Sequence, residues 1–274
     1  MTVRGRVCAV TMARNPGIFA RLWLGHYGRA FGAENCFLIL DGTDQPAPEG
    51  TGANILRLPL RALPREVGDR RRAGIISDMA AALFAAYDVV VATDIDEMLI
   101  LDPAEGHDLA AHLAGVGHAG VSALGIDIAP GPGEGPLDPG APVLHQRRFG
   151  VVNSRYTKPV VATRPVRWGA GLHRMKGRNF RIDPALYLLH LGLVDGPGPV
   201  TPDLAAQGWG AHAARRAGAA EALKAGAATA PGGAEVFDLA RRSQSLWRPI
   251  YAWNKPGRDR LRVIRLPEGW RDLL

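Results

Sequence analysis

In the first half of the chain, short continuous apolar runs alternate with longer stretches whose apolar residues recur every three or four positions. RVCAVTM (6–12), NCFLILDG (35–42), ANILRLP (53–59) and DVVVATDID (88–96) are the runs. A run apolar at successive positions suits a strand buried on both faces. Pro16 precedes IFARLWLGHYGRAF, where Ile18, Leu22, Tyr27 and Phe31 predict a helix. A second helix is predicted from about Asp69 to Tyr87, with Ile75, Ile76, Met79, Leu83 and Phe84 on its apolar side. The order β-α-β-β-α-β predicts an α/β sheet flanked by helices.

The second half is less regular. A short helix near His107 to Ala114 and a strand GVSALGIDIA (120–129) lead into APGPGEGPLDPGAP (129–142), too long for a simple connection. VLHQRRFGVV, KPVVATRPVRW and LYLLHLGLV read as further strands of a mixed sheet. Helices are predicted near 202–226 and 234–245, before a basic, Trp-containing end. The expected organisation is one α/β domain over 1–195 and a helical, basic extension over 196–274 packed on it.

Open α/β sheets bind ligands at the carboxyl ends of their strands. Three polar clusters stand at such ends: Thr11 to Asn15, Asp41 to Asp44, and Asp94 to Glu97. Alternation along a strand aims Asp94 and Asp96 to one side, with Ile95 opposite. Adjacent carboxylates repel, so they raise one another's pKa or share a cation. Hard oxygen ligands suit magnesium or manganese, which bind through one or two carboxylates plus substrate phosphates. The competing assignment makes Asp94 and Asp96 turn caps and Glu97 the start of a helix; the desolvation cost of unpaired carboxylates after a buried strand argues against it.

Composition narrows the picture only slightly. The 33 Lys and Arg against 26 acids leave a formal charge of +7, which suits an anionic substrate, a nucleic acid or an acidic membrane surface. Cys8 and Cys36 lie inside predicted strands, as expected of core thiols in a reducing cytoplasm. No uncharged apolar run approaches the roughly 20 residues of a membrane span. The expected location is the cytoplasm, with a peripheral contact at the inner face of the membrane as a further expectation.

Four blocks together resemble a known family: TMARNPGIFARLWLGHYGRAFGAENCFLILDGTD (11–44), VVVATDIDEMLILDP (89–103), SRYTKPVVATRPVRWGAGLH (154–173) and LYLLHLGLVD (186–195). A strand ending in D-x-D-E, an N-terminal N-x-x-x-x-x-x-x-W-x-x-H-Y segment and a second strand ending in Asp look like the GT-A glycosyltransferases, most of all their family 2 and family 92 branch. Pro16 departs from the usual Glu and Met98 from the usual Phe.

The resemblance implies a Rossmann-like GT-A fold and a nucleotide-sugar donor. Thr11, Arg14, Asn15 and Asp41 would surround its base and ribose, with Arg72 and Asp78 completing the pocket. Asp94 would touch the ribose or a manganese or magnesium ion, and Asp96 would bind that ion, which bridges the two phosphates. Late histidines often join such a shell: His190 resembles that ligand and His173 competes with it, while a hydrogen-bonded core histidine is the alternative for each. His26 reads as structural.

Lys158, Arg147 and Arg148 suit a diphosphate or an acceptor anion, or a solvated strand edge. For an inverting transfer, Asp127 is the first candidate base, ahead of Glu134 and Asp138, and Glu97 is a supporting catalytic carboxylate. Trp247, Trp253, Lys255, Arg258, Arg260 and Arg262 suit an acidic leaflet carrying a lipid-linked acceptor, a flap over the diphosphate, or ordinary surface; single-stranded nucleic acid ranks last.

The expected activity is metal-dependent transfer of a sugar to a glycan or lipid-linked acceptor, as in polysaccharide biosynthesis. The alternatives are a nucleotidyltransferase, whose Gly-rich loop with Lys is missing from TMARNPG, a phosphotransferase, and a nucleotide-sugar-binding protein without turnover.

Overall fold

A computed structural model describes residues 5–176, 181–196, 210–246, 256 and 260–274. Four strands carry the first half: β1 (Val7–Ala13), β2 (Cys36–Asp41), β3 (Asn54–Leu58) and β4 (Val89–Ala92). β1 pairs in parallel with both β2 and β4, and β2 with β3. Side-chain alternation splits β1 between two cores. Val7, Ala9 and Ala13 face helix α1 (Ile18–Phe31), while Cys8, Val10 and Met12 pack with Ile76 and Ala80 of α2 (Arg65–Leu83). Both cysteines are buried and free, as expected.

The remaining strands make the sheet mixed. β5 (Glu97–Leu101) is antiparallel to β9 (Ile182–His190), and β9 runs parallel to the long β6 (Gly120–Ile128). Helix α3 (Leu109–Ala114) links β5 to β6, its cap Asp108 accepting from the Ala111 amide. β7 (Phe149–Val152) and β8 (Lys158–Ala162) lie antiparallel along β6, and β8 is also antiparallel to β4. The α/β class with a mixed sheet flanked by helices therefore holds.

The residues between β7 and β8, 153–157, leave the ladder opposite Gly125. The Asn153 amide donates to the Gly125 carbonyl, and the Gly125 amide donates to Thr157 Oγ1. A Cβ at Gly125 would stand 2.1 Å from the Tyr156 carbonyl carbon, so the bulge can sit this close only on glycine.

Several elements differ from their predicted form. Val143–Gln146 of the predicted strand VLHQRRFGVV form a one-turn helix, α4; Pro142 stands at its start and the Gln146 side chain turns its Nε2 back to the carbonyls of Asp138, Ala141 and Pro142. β9 stops at His190 instead of running on through LGLV. The Leu191 amide turns to the Asp96 carbonyl, and Val194 folds back on Leu191. In α1 the buried residues are Ala20, Trp23, Leu24, His26 and Tyr27, while Ile18 is exposed. α2 starts at Arg65 because its first turns are charged, which an apolar stripe does not register. The 129–142 loop is pinned: Glu134 accepts from the Gly131 and Arg148 amides, Asp195 from Leu137, and Arg21 donates to the Pro139 carbonyl.

Among the described residues beyond 196, α5 (Gly210–Gly226) and α6 (Gly233–Leu246) correspond to the two predicted helices. β10 (Arg262–Arg265) adds an antiparallel edge beside β7. Phe237 of α6 stacks on Trp270, and both contact Tyr187 of β9, so the extension shares the core. Trp247, Trp253, Lys255 and Arg258 lie outside the described residues. Among those described, no helix is long and apolar enough to cross a membrane.

Candidate functional site

The acidic segment is a seam between two strands. β4 ends at Ala92, Thr93 to Asp96 form a turn, and Glu97 begins β5, so Asp94 and Asp96 are turn residues and do not alternate along a strand. Glu97 starts a strand, not the helix of the competing assignment. Helix α1 fixes this seam with three residues on one face. Trp23 Nε1 donates to Thr93 Oγ1 at 2.9 Å, and His26 Nε2 lies 2.7 Å from the Leu99 carbonyl oxygen. Tyr27 Oη accepts from the Leu99 amide at 2.8 Å and donates to the Glu97 carbonyl at 3.2 Å. The W-x-x-H-Y spacing thus has a physical reason: positions i, i+3 and i+4 share a helix face.

The two aspartates meet different cations. Asp94 Oδ2 accepts from Lys158 Nζ at 2.8 Å, and its Oδ1 lies 3.3 Å from Arg72. Burial opposes ionisation of Asp94, but Arg72 and then Lys158 overcome it and hold the carboxyl well below its ordinary range. Lys158 also lies 2.5 Å from Glu97 Oε1, and Glu97 Oε2 accepts from the Asp94 amide. Burial pushes Glu97 up to about 7 against the pull of Lys158. Lys158 itself is held as an ammonium by Asp94 and Glu97 despite its burial.

Asp96 turns to His190. Its Oδ2 lies 3.3 Å from His190 Nε2, while His190 Nδ1 lies 2.6 Å from Asp127 Oδ1. Burial would lower the His190 pKa; attraction to Asp96 and the hydrogen bond to Asp127 instead raise it to about 10. His190 in turn holds Asp96 below its ordinary value. The Tyr156 ring stacks on the imidazole, centroids 3.8 Å apart and planes 15° from parallel. A Cβ at Gly192 would stand 2.7 Å from Asp96 Oδ2 and 2.8 Å from His190 Nε2, so glycine keeps this corner open.

The nucleotide-side residues are partly gathered. Asp41, at the end of β2, pairs with Arg71 at 2.9 Å. Arg14 forks onto Asp44 and also donates to the Asp41 carbonyl; its hydrogen bond is the main reason Asp44 falls to about 2. The Asn15 amide donates to Gln45, and Asn15 takes the left-handed conformation, with a φ of 46°. Thr11 is buried with an unpartnered hydroxyl. Arg72 joins Asp94, whereas Asp78 is exposed and paired with Arg167.

The other candidates have different places. Asp127 is 1% exposed, and its second oxygen accepts from Asn153 Nδ2 at 2.7 Å, so it stands behind His190. Arg147 is buried, donating to the carbonyls of Val194 and Gln146; Arg148 lies beside Glu134, and Asp138 receives the Gly140 amide. His173 lies 2.9 Å from the Arg155 carbonyl oxygen.

Among the described residues no group of three or more His, Cys, Asp or Glu is placed to hold a metal ion. Asp96 and His190 are the two donors that face each other, which fits a hard divalent cation completing its shell with phosphate and water. The Asp127 carboxylate behind His190 matches the usual support of a ligating imidazole.

Asn153, Tyr156, Arg71, Gly125 and Gly192 were not singled out from the sequence. SRYTKP and HLG lie inside blocks that carry the resemblance, but nothing local in them marks these residues until the bulge and the turn bring them to His190 and Asp96. No protein-family model matches this chain, and no curated protein matches it.

Proposed function

We propose that this chain is a metal-dependent glycosyltransferase that moves a sugar from a nucleoside-diphosphate donor to an acceptor hydroxyl, of the GT-A kind. The supporting observation is the pairing of Asp96 Oδ2 with a braced His190 Nε2 just past the carboxyl end of β4, with Asp41 at the carboxyl end of β2.

On this reading Asp41, Arg14 and Asn15 border the nucleoside, Thr11 is buried and takes no part, and Asp96 and His190 hold manganese or magnesium. When bound, the cation neutralises charge on the departing diphosphate. Arg72 and Lys158 keep Asp94 ionised at the edge of that space. Lys158 is spoken for by Asp94 and Glu97, so its part is to hold the seam and not to reach for phosphate.

Calorimetry with UDP, GDP and CMP, with and without manganese, tests the reading. Manganese-dependent binding of one nucleotide, abolished in Asp96→Ala, is the expected result. Binding indifferent to both the metal and the substitution would remove the metal role.

The second reading, donor binding without turnover, draws on the burial of Asp127 and Glu97, neither of which is open to an acceptor hydroxyl. A nucleotide-sugar hydrolysis screen with manganese separates the two: released sugar supports the transferase, and tight binding with no release supports the binding protein.

A further inference from the structure

We propose that Asn153 and Asp127 form a directed hydrogen-bond relay that keeps a hydrogen on His190 Nδ1 and so presents Nε2 as the ligating nitrogen. This rests on the reading of Asp96 and His190 as the cation's ligands.

The direction of every link is fixed by the groups present. The Arg155 amide can only donate, and it donates to Asn153 Oδ1 at 3.1 Å. That sets the amide orientation of Asn153, whose Nδ2 therefore faces Asp127 Oδ2 at 2.7 Å as a donor. The Asp127 carboxylate offers acceptors on both sides, so its other oxygen takes a hydrogen from His190 Nδ1 at 2.6 Å. Nε2 is left as the nitrogen facing Asp96 Oδ2; without a cation it too carries a hydrogen, which a bound cation displaces while the Nδ1 hydrogen stays on Asp127.

The same bulge supplies the other restraint. Tyr156, held with Asn153 against Gly125, lies flat on the imidazole and confines its plane. Asn153 and Tyr156 are thus positioning residues that act on His190 from one short segment, and the close approach at Gly125 makes that possible.

Reversing the relay tests it. In Asp127→Asn the new carbonyl is drawn to the Asn153 amide, which turns the new NH2 towards His190 Nδ1. Nδ1 must then accept, and the ring hydrogen moves to Nε2, the ligating position. In the exchange Asp127→Asn with Asn153→Asp, the carboxylate at 153 takes that NH2 and still accepts from the Arg155 amide. The carbonyl at 127 again takes a hydrogen from Nδ1. Composition and charge are those of the wild type.

Two readouts follow. By 15N-edited NMR, the exchange-protected His190 Nδ1–H signal is expected in the wild type, lost in Asp127→Asn and restored in the exchanged variant. By electron paramagnetic resonance of free manganese with UDP present, Asp127→Asn should weaken uptake about 10–100-fold, the scale for losing support of a ligating histidine. The exchanged variant should recover most of that.

An Nδ1–H signal that persists in Asp127→Asn would overturn the relay, as would an exchanged variant that melts like wild type yet stays as weak as the single substitution. Absence of manganese uptake by the wild type would instead overturn the metal reading, and the NMR signal would still decide the direction of the hydrogen bonds.

Discussion

Lys158 and Glu97 form an ion pair in which neither side chain is open to solvent, the ammonium 2% and the carboxylate 0% exposed. Removing one partner strands the other. Lys158→Met is expected to cost about 3–5 kcal/mol, the range for breaking a buried pair. Lys158→Met with Glu97→Gln should recover much of it, because the buried carboxylate is gone. Urea unfolding of both variants decides this; equal losses in the two would show that Glu97 is not the stranded group.

The corner at Gly192 has room for a hydrogen and for nothing larger. In Gly192→Ala the methyl group would press on both Asp96 Oδ2 and His190 Nε2. Manganese-dependent nucleotide binding should weaken about tenfold or more, as expected when ligand geometry is disturbed. The backbone at 192 needs no left-handed conformation, so any fall in melting temperature would come from this contact and not from backbone strain. Unchanged affinity by calorimetry would remove Gly192 from the site.

Tyr27 holds β5 through two hydrogen bonds of its hydroxyl. Tyr27→Phe leaves the Leu99 amide and the Glu97 carbonyl without that partner inside the core. The expected loss is about 1–3 kcal/mol, the cost of unsatisfied buried polar groups. Denaturant unfolding measures it, and a variant as stable as the wild type would mean that the seam is held by Trp23 and His26.

Acid should unfold this chain in part through His26. Burial lowers its pKa from 6.5 to about 4 in the folded protein. The unfolded chain therefore takes up a proton that the folded one refuses, and stability present above the unfolded pKa is lost as pH falls from there towards 4. By linkage the loss between about pH 7 and pH 5 is about 2 kcal/mol. His26→Gln should show a shallower fall over that interval; an identical slope would assign the acid sensitivity to other groups.

Strands β1, β2 and β4 and the polar clusters at their ends were legible because continuous apolar runs survive burial on both faces; β3, read the same way, is an exposed edge. So was the His190 position, since an apolar strand led into it. What stayed hidden depended on contacts across the fold. The seam at Thr93 looked like an unbroken strand, because nothing local says that β4 and β5 pair with different neighbours. Asp127 read as an open base because its alternation along β6 carries no information on what stands behind it. Asn153 and Gly125 are distant in sequence, and only the bulge explains either.

The contacts that make the site join residues far apart in the chain: Asp94 with Lys158, 64 positions on, and Asp127 with His190, 63 positions on. Links of this kind close late, after the entropy of long loops has been overcome. A partly folded chain with its local helices and hairpins in place would have no pocket to offer. A nucleotide that binds only the finished arrangement therefore counts correctly folded molecules. At a hundred times its dissociation constant it would add about 2.7 kcal/mol to their stability. The turn between β4 and β5 makes any such ligand a quality check on the whole sheet, usable before a substrate for the protein is in hand.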